Sequence, residues 1–163
     1  MGKVLDRFNN GWPGAASRAI DEIIISMKNG SSGNIPFGAP VFFQSATNSC
    51  APFDPSSAAS FTADNFLGFT VRSGVKTPEV YGSNEGVFTV HDPVEILVRG
   101  SIVLAFDEGA DPGASVYIRK SDGAFVTEAG SAGTTIELPN ARVRTFSDAD
   151  YRAEVVISAR NLI

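Results

Sequence analysis

Between positions 94 and 106 the chain alternates so regularly that it admits little but a β-strand. Val94, Ile96, Val98, Ile102, Leu104 and Phe106 fall on one face, and Glu95, Arg99 and Ser101 on the other. The run far exceeds the usual strand of about five or six residues, so Gly100 is expected to bend or bulge it. Shorter runs precede it at 66–72 and 87–91 and follow it at 115–120, 124–128, 134–138, 141–146 and 151–159. Leu67, Phe69 and Val71 share a side in one of these, and Tyr151, Ala153, Val155, Ile157 and Ala159 share a side in another. Ser121-Asp122-Gly123, set between two alternating runs, signals a hairpin. So many short strands imply a mainly β fold with a closed or sandwiched antiparallel sheet.

The N-terminal part is less regular. Residues 1–18 read as an extended arm, because Asn9, Asn10, Gly11, Pro13 and Gly14 discourage regular structure. Phe8 and Trp12 are large apolar groups without a local partner; they either fold back on their own domain or dock on a neighbouring subunit. Residues 19–163 then form a single β domain. Within 19–27, Ile20, Ile23, Ile24 and Met27 fit a helical template, yet three consecutive β-branched isoleucines favour a strand, which is the reading preferred here. A flexible turn at 29–34 leads to a strand at 37–44, where Pro40 suggests a sheet edge; the two runs are expected to pair as a hairpin. Residues 45–65 read as a long loop with room for one helical turn, and 73–86 as a second long loop.

Composition narrows the functional classes. Eighteen acidic against 13 basic side chains leave a formal charge of −5, the wrong sign for holding a polyanion, so nucleic acid is not an expected partner. No stretch approaches the roughly 18 apolar residues of a membrane span, and no apolar signal segment opens the chain, so a soluble protein without a membrane partner is expected. A single cysteine, Cys50, makes no internal disulfide, and the fold is compatible with a reducing cytoplasm.

Catalytic constellations are missing from the sequence. His91 is the only histidine, which excludes a multi-histidine metal site within one chain, and no serine lies in a nucleophile elbow. Cys50 has no neighbouring base and reads as an idle thiol. Asp107, Glu108 and Asp111 cluster in a turn of the kind that sometimes holds calcium, but their spacing does not match an EF-hand and a solvated turn explains them. Arg142, Arg144, Arg152 and Arg160 point outward from the last strands, where carboxylates of a partner or of the same subunit are better matches than nucleic acid. The reading is therefore a non-enzymatic binding or structural module, without cofactor or metal.

The order of short motifs resembles the cement, or decoration, proteins of tailed-bacteriophage capsids. The matching features are Gly11-Trp12-Pro13-Gly14 with Ser17-Arg18, then Ile35-Pro36-Phe37-Gly38-Ala39-Pro40-Val41, and Phe66-Leu67-Gly68-Phe69. Tyr81 ahead of residues 86–90, residues 95–103 and 112–117, and Leu138-Pro139-Asn140-Ala141-Arg142 continue the series. The resemblance implies a small antiparallel β-barrel or jelly-roll-like sandwich with an extended N-terminal arm, a virion protein made in the host cytoplasm that sits on the outer capsid surface. There it would bind the major capsid protein lattice, cement neighbouring capsomers and self-associate as a homodimer or homotrimer. Phe8, Trp12, Pro13 and Arg18 are the candidate capsid or subunit contacts it implies. The alternative is a carbohydrate- or receptor-binding β-sandwich of a phage particle, with Tyr81, Phe53 and Phe61 as its only plausible aromatic platforms.

Overall fold

A computed structural model describes residues 10–72 and 86–161. The longest strands are β1 (Ala16–Lys28) and β7 (Pro93–Ala105), and β7 organises everything else. Along one edge it pairs antiparallel with β1 from Pro93 to Ile102. Its other edge is divided: β5 (Phe66–Thr70) takes Ile96 and Leu97, and β11 (Arg152–Ile157) takes Gly100 to Ala105. From β5 the sheet continues through β3 (Pro40–Gln44) to β4 (Ser49–Pro52), and from β11 through β10 (Thr135–Val143) and β8 (Ser115–Arg119) to β9 (Phe125–Val126). Among the described residues these strands make a nine-stranded antiparallel sheet that curls into a half-barrel. Its curl brings both ends back towards the central pair, with single bridges from Cys50 to Asn29 and from Phe125 to Phe106. A separate two-stranded sheet joins β2 (Ile35–Pro36) to β6 (Val87–Phe88).

Gly100 explains why one strand serves two cores. Its φ of +124° is one an L side chain rarely adopts, and it shifts the alternation of β7 by one position. Ahead of it, Val94, Ile96 and Val98 pack with Ile35, Phe37, Val41 and Phe88 in a smaller cluster. Beyond it, Ile102, Leu104 and Phe106 face the main cluster, which Leu97 also joins. The six apolar residues expected on one face are therefore split between two, and Leu97 and Val103 are buried as well. β7 is central rather than half-exposed.

The main cluster is built around aromatic rings. Phe53, Phe61, Phe42, Phe66, Phe69, Phe125 and Phe106 form a chain of neighbouring rings with centroids 5.0 to 6.4 Å apart, mostly edge-on. Each such pair adds about 0.5–1.5 kcal/mol beyond the area it buries.

Several sequence expectations are corrected. Residues 19–27 are a strand, but β1 does not pair with 37–44: its partner is β7, while β3 lies between β4 and β5. Pro40 accordingly marks the first residue of an interior strand, where its missing N–H is tolerated, and not a sheet edge. Residues 45–65 contain β4 and two 3-10 turns, at Pro55–Ser60 and Ala63–Asn65. A register shift between β3 and β5 puts Leu67 in the smaller cluster, away from Phe69 and Val71. Residues 134–138 and 141–146 belong largely to one strand, β10, interrupted at Asn140, whose φ is +61°. The turn at 29–34 is tied down by buried Asn29. Its amide donates to the carbonyls of Gly33 (3.0 Å) and Thr89 (3.1 Å), and its oxygen accepts from the Ser31 N–H and hydroxyl.

Candidate functional site

Residues 10–12 lie against the connection between β10 and β11 and the start of β11, and Asn10 fixes them there. Its backbone N–H donates to Asp148 Oδ2 at 3.0 Å. Its side-chain Nδ2 donates to the carbonyls of Phe146 (2.9 Å) and Arg152 (2.7 Å). Asp148 is itself held by the N–H groups of Asp150 (3.0 Å) and Arg152 (2.9 Å), both donating to Oδ1. Arg152 answers from the sheet: its Nη1 donates to the Gly11 carbonyl at 3.3 Å, and its guanidinium carbon lies 4.5 Å from the Trp12 ring centre. A stack of this kind contributes about 0.5–1 kcal/mol at an open site.

The next turn is steric in origin. Gly14 donates to the Val103 carbonyl (2.9 Å) and accepts from the Arg72 N–H (2.7 Å), which locks it onto β7. Gly14 and Gly38 have φ of +81° and +77°, and a Cβ on either would stand 2.8 Å from the backbone nitrogen of the other. Only glycine fits at both positions. The two Gly-containing motifs singled out in the sequence are thus halves of one contact.

Among the four candidate contact residues, Trp12 and Pro13 are brought together. Trp12 is 43% exposed under Arg152, and Pro13 is half-buried beside Gly38. Arg18 stands further along, within β1, its backbone opposite Ser101. β1 begins at Ala16, inside the segment expected to be arm. Phe8 lies outside the described residues.

The family model described as structural cement protein (E217 gp24/Pam3 gp6) matches residues 3–158. The chain belongs to this family of phage structural cement proteins. No curated protein matches it. The solved capsid of the Myoviridae phage XM1 contains a chain with the same fold, at TM-score 0.71 and 18% identity, covering 96% of both chains. The protein is accordingly a β-rich structural component associated with a phage capsid.

The reactive residues of this cement protein are occupied structurally. Cys50 is buried in β4, its thiol donating to the Lys28 carbonyl at 3.5 Å, and burial pushes its pKa up to about 11. It holds no thiolate at neutral pH. His91 is exposed in the turn before β7, with φ of +70° and its N–H on the Asn29 carbonyl. In the acidic turn, Asp107 accepts from Arg119 Nη2 (2.8 Å), and the same guanidinium holds Asp122 at 2.6 Å. That ion pair keeps the Asp122 carboxyl below its ordinary range. The outward arginines also turn to their own chain: Arg142 to Glu137 (3.6 Å), Arg144 to Glu154 (3.9 Å) and Arg152 to Asp150 (3.6 Å). Of the proposed sugar platforms, Phe61 is buried and Phe53 packs against it and Phe42, while Tyr81 lies outside the described residues.

Sequence reasoning missed Asn10, Asp148 and the exposure of Tyr151. The readable signal was Asp148-Ala149-Asp150, whose side chains favour a turn and so end the strand pattern before Arg152. Tyr151 has φ of +56° and precedes β11, so it leaves the buried face of Ala153, Val155 and Ile157 and is 50% exposed.

Proposed function

We propose that this protein is a non-enzymatic cement that binds the outer surface of the major capsid protein lattice and bridges neighbouring capsomers. It acts as a homodimer or homotrimer, with Phe8, Trp12, Pro13 and Arg18 contributing to capsid or subunit contacts. The observation that carries this reading is the family match from residue 3 to residue 158, which takes in both the N-terminal segment and the β domain. The physics agrees with it. Joints between capsomers gain strength from buried area, and many copies make modest contacts collectively strong. Trp12 suits such a contact because it is exposed yet already held by Arg152, so less conformational freedom remains to be lost on docking.

The test is add-back. Purified protein is mixed with capsids of its phage lacking it and sedimented, and the bound fraction is imaged. Saturable binding at a fixed number of copies per capsomer, on the outer face, is expected. A protein that stays in the supernatant at micromolar concentration, or that occupies only the inner face, contradicts the reading.

A further inference from the structure

The acidic turn of residues 107–111 meets the turn that carries Phe146 and Tyr151. The structure places them side by side. The Ala110 N–H donates to Ser147 Oγ (3.0 Å), and the Ser147 N–H donates back to the Ala110 carbonyl (3.0 Å). This reciprocal pair clamps the turn before β8 to the turn before β11. Phe146 is 56% exposed, Tyr151 50% and Trp12 43%, and Asn10 ties all three to one backbone frame through its bonds to Phe146 and Arg152. Glu108 and Asp111 are exposed in the clamped turn, and Asp150, paired with Arg152, is exposed next to Tyr151 in the chain.

We infer that this end of the molecule is the docking surface for the major capsid protein, an aromatic centre with an acidic rim. It fits an apolar patch edged by lysine or arginine on the outer face of a capsomer. This inference rests on the proposed capsid-binding role and gives that role an address. Three features support it. Large rings at the centre of a patch are the side chains that dominate interface energetics. Asn10, Asp148 and the Ala110–Ser147 pair hold the surface before any partner arrives, which lowers the ordering cost of binding. The Glu108 and Asp111 carboxylates supply one sign of charge, and complementary charge fixes register and speeds encounter. That complement is a basic surface, and the outward Arg142, Arg144 and Arg152 of this chain are already engaged by its own carboxylates, so a second copy is the poorer match.

The test uses the full chain, with capsids lacking the protein as the probe. Tyr151→Asn is chosen because asparagine accepts the positive φ at this position, and it is combined with Phe146→Ala. Circular dichroism and size-exclusion chromatography confirm folding and oligomeric state. Binding is expected to weaken by roughly 30-fold or more, the loss typical of a hot-spot side chain. Glu108→Lys with Asp111→Lys, which leaves the rings in place, is expected to weaken binding about tenfold at low salt and much less near 0.5 M salt. Binding within about threefold of wild type for both variants overturns the inference while leaving the cement role intact. A changed oligomeric state with normal capsid binding also overturns it, by assigning this face to a second copy. Failure of the wild-type chain to bind capsids overturns both.

Discussion

Two ends of the molecule solve the same problem in opposite ways. At each, an asparagine side chain fastens an irregular segment: Asn29 at the end carrying the small β2–β6 sheet, and Asn10 at the end carrying the N-terminal segment. At the first end the rings face inward. Phe37 and Phe88 meet edge-on at 5.5 Å and are 5% and 1% exposed. At the second end Trp12, Phe146 and Tyr151 face outward, though the backbone beneath them is as firmly bonded. Firm backbone with buried rings is a structural cap. Firm backbone with exposed rings suits the contact surface proposed above, so the contrast separates what the fold needs from what the proposed partner would use.

The contrast is broken or sharpened by substitution. Phe88→Ala is expected to have the largest effect, about 3–5 kcal/mol lost in urea unfolding, because it empties a packed core position. A loss below about 1 kcal/mol would show that the small sheet is not a cap. Asn29→Ala, which strands buried donors and acceptors, is expected to cost about 2–3 kcal/mol. Asn10→Ala should cost only about 1 kcal/mol globally. It should, however, speed hydrogen exchange at the amides of Gly14 and Val103, where the segment is sewn to β7.

A smaller effect appears with pH. The folded Cys50 thiol keeps its proton to about 11, whereas the unfolded one releases it near its ordinary value of 9.0. The folded state therefore holds more protons between those values, and stability falls as pH rises through that window. Unfolding of Cys50→Ala across the same range should lack this slope. Smallest of all, Tyr151→Asn should leave stability within about 0.5 kcal/mol, since it trims an open ring and keeps the backbone.

Much of the β architecture was legible because alternation is local. The runs that became β7, β8 and β11 showed it, and the Ser121-Asp122-Gly123 turn correctly announced the β8–β9 hairpin. Pairing was not legible where two runs had equal claims. β1 and β3 both looked like hairpin partners, but β1 is matched in length by β7, a preference that only the whole sheet expresses. Gly100 could be read as a bend, yet its consequence, the exchange of faces between two cores, depends on what packs above and below. At the candidate site, Trp12 and Pro13 stood out by residue type. Asn10 and Asp148 did not, because their partners lie more than a hundred residues away in the chain or are backbone groups.

The central claim is that this protein strengthens a capsid by contact alone, and the rupture temperature of DNA-filled particles tests it most directly. Particles lacking the protein are heated with and without saturating purified chain, and DNA release is followed by a dye excluded from intact capsids. The account predicts release at a higher temperature once the protein is bound. Particles with the protein bound at full occupancy that release DNA at the same temperature as bare ones would contradict it.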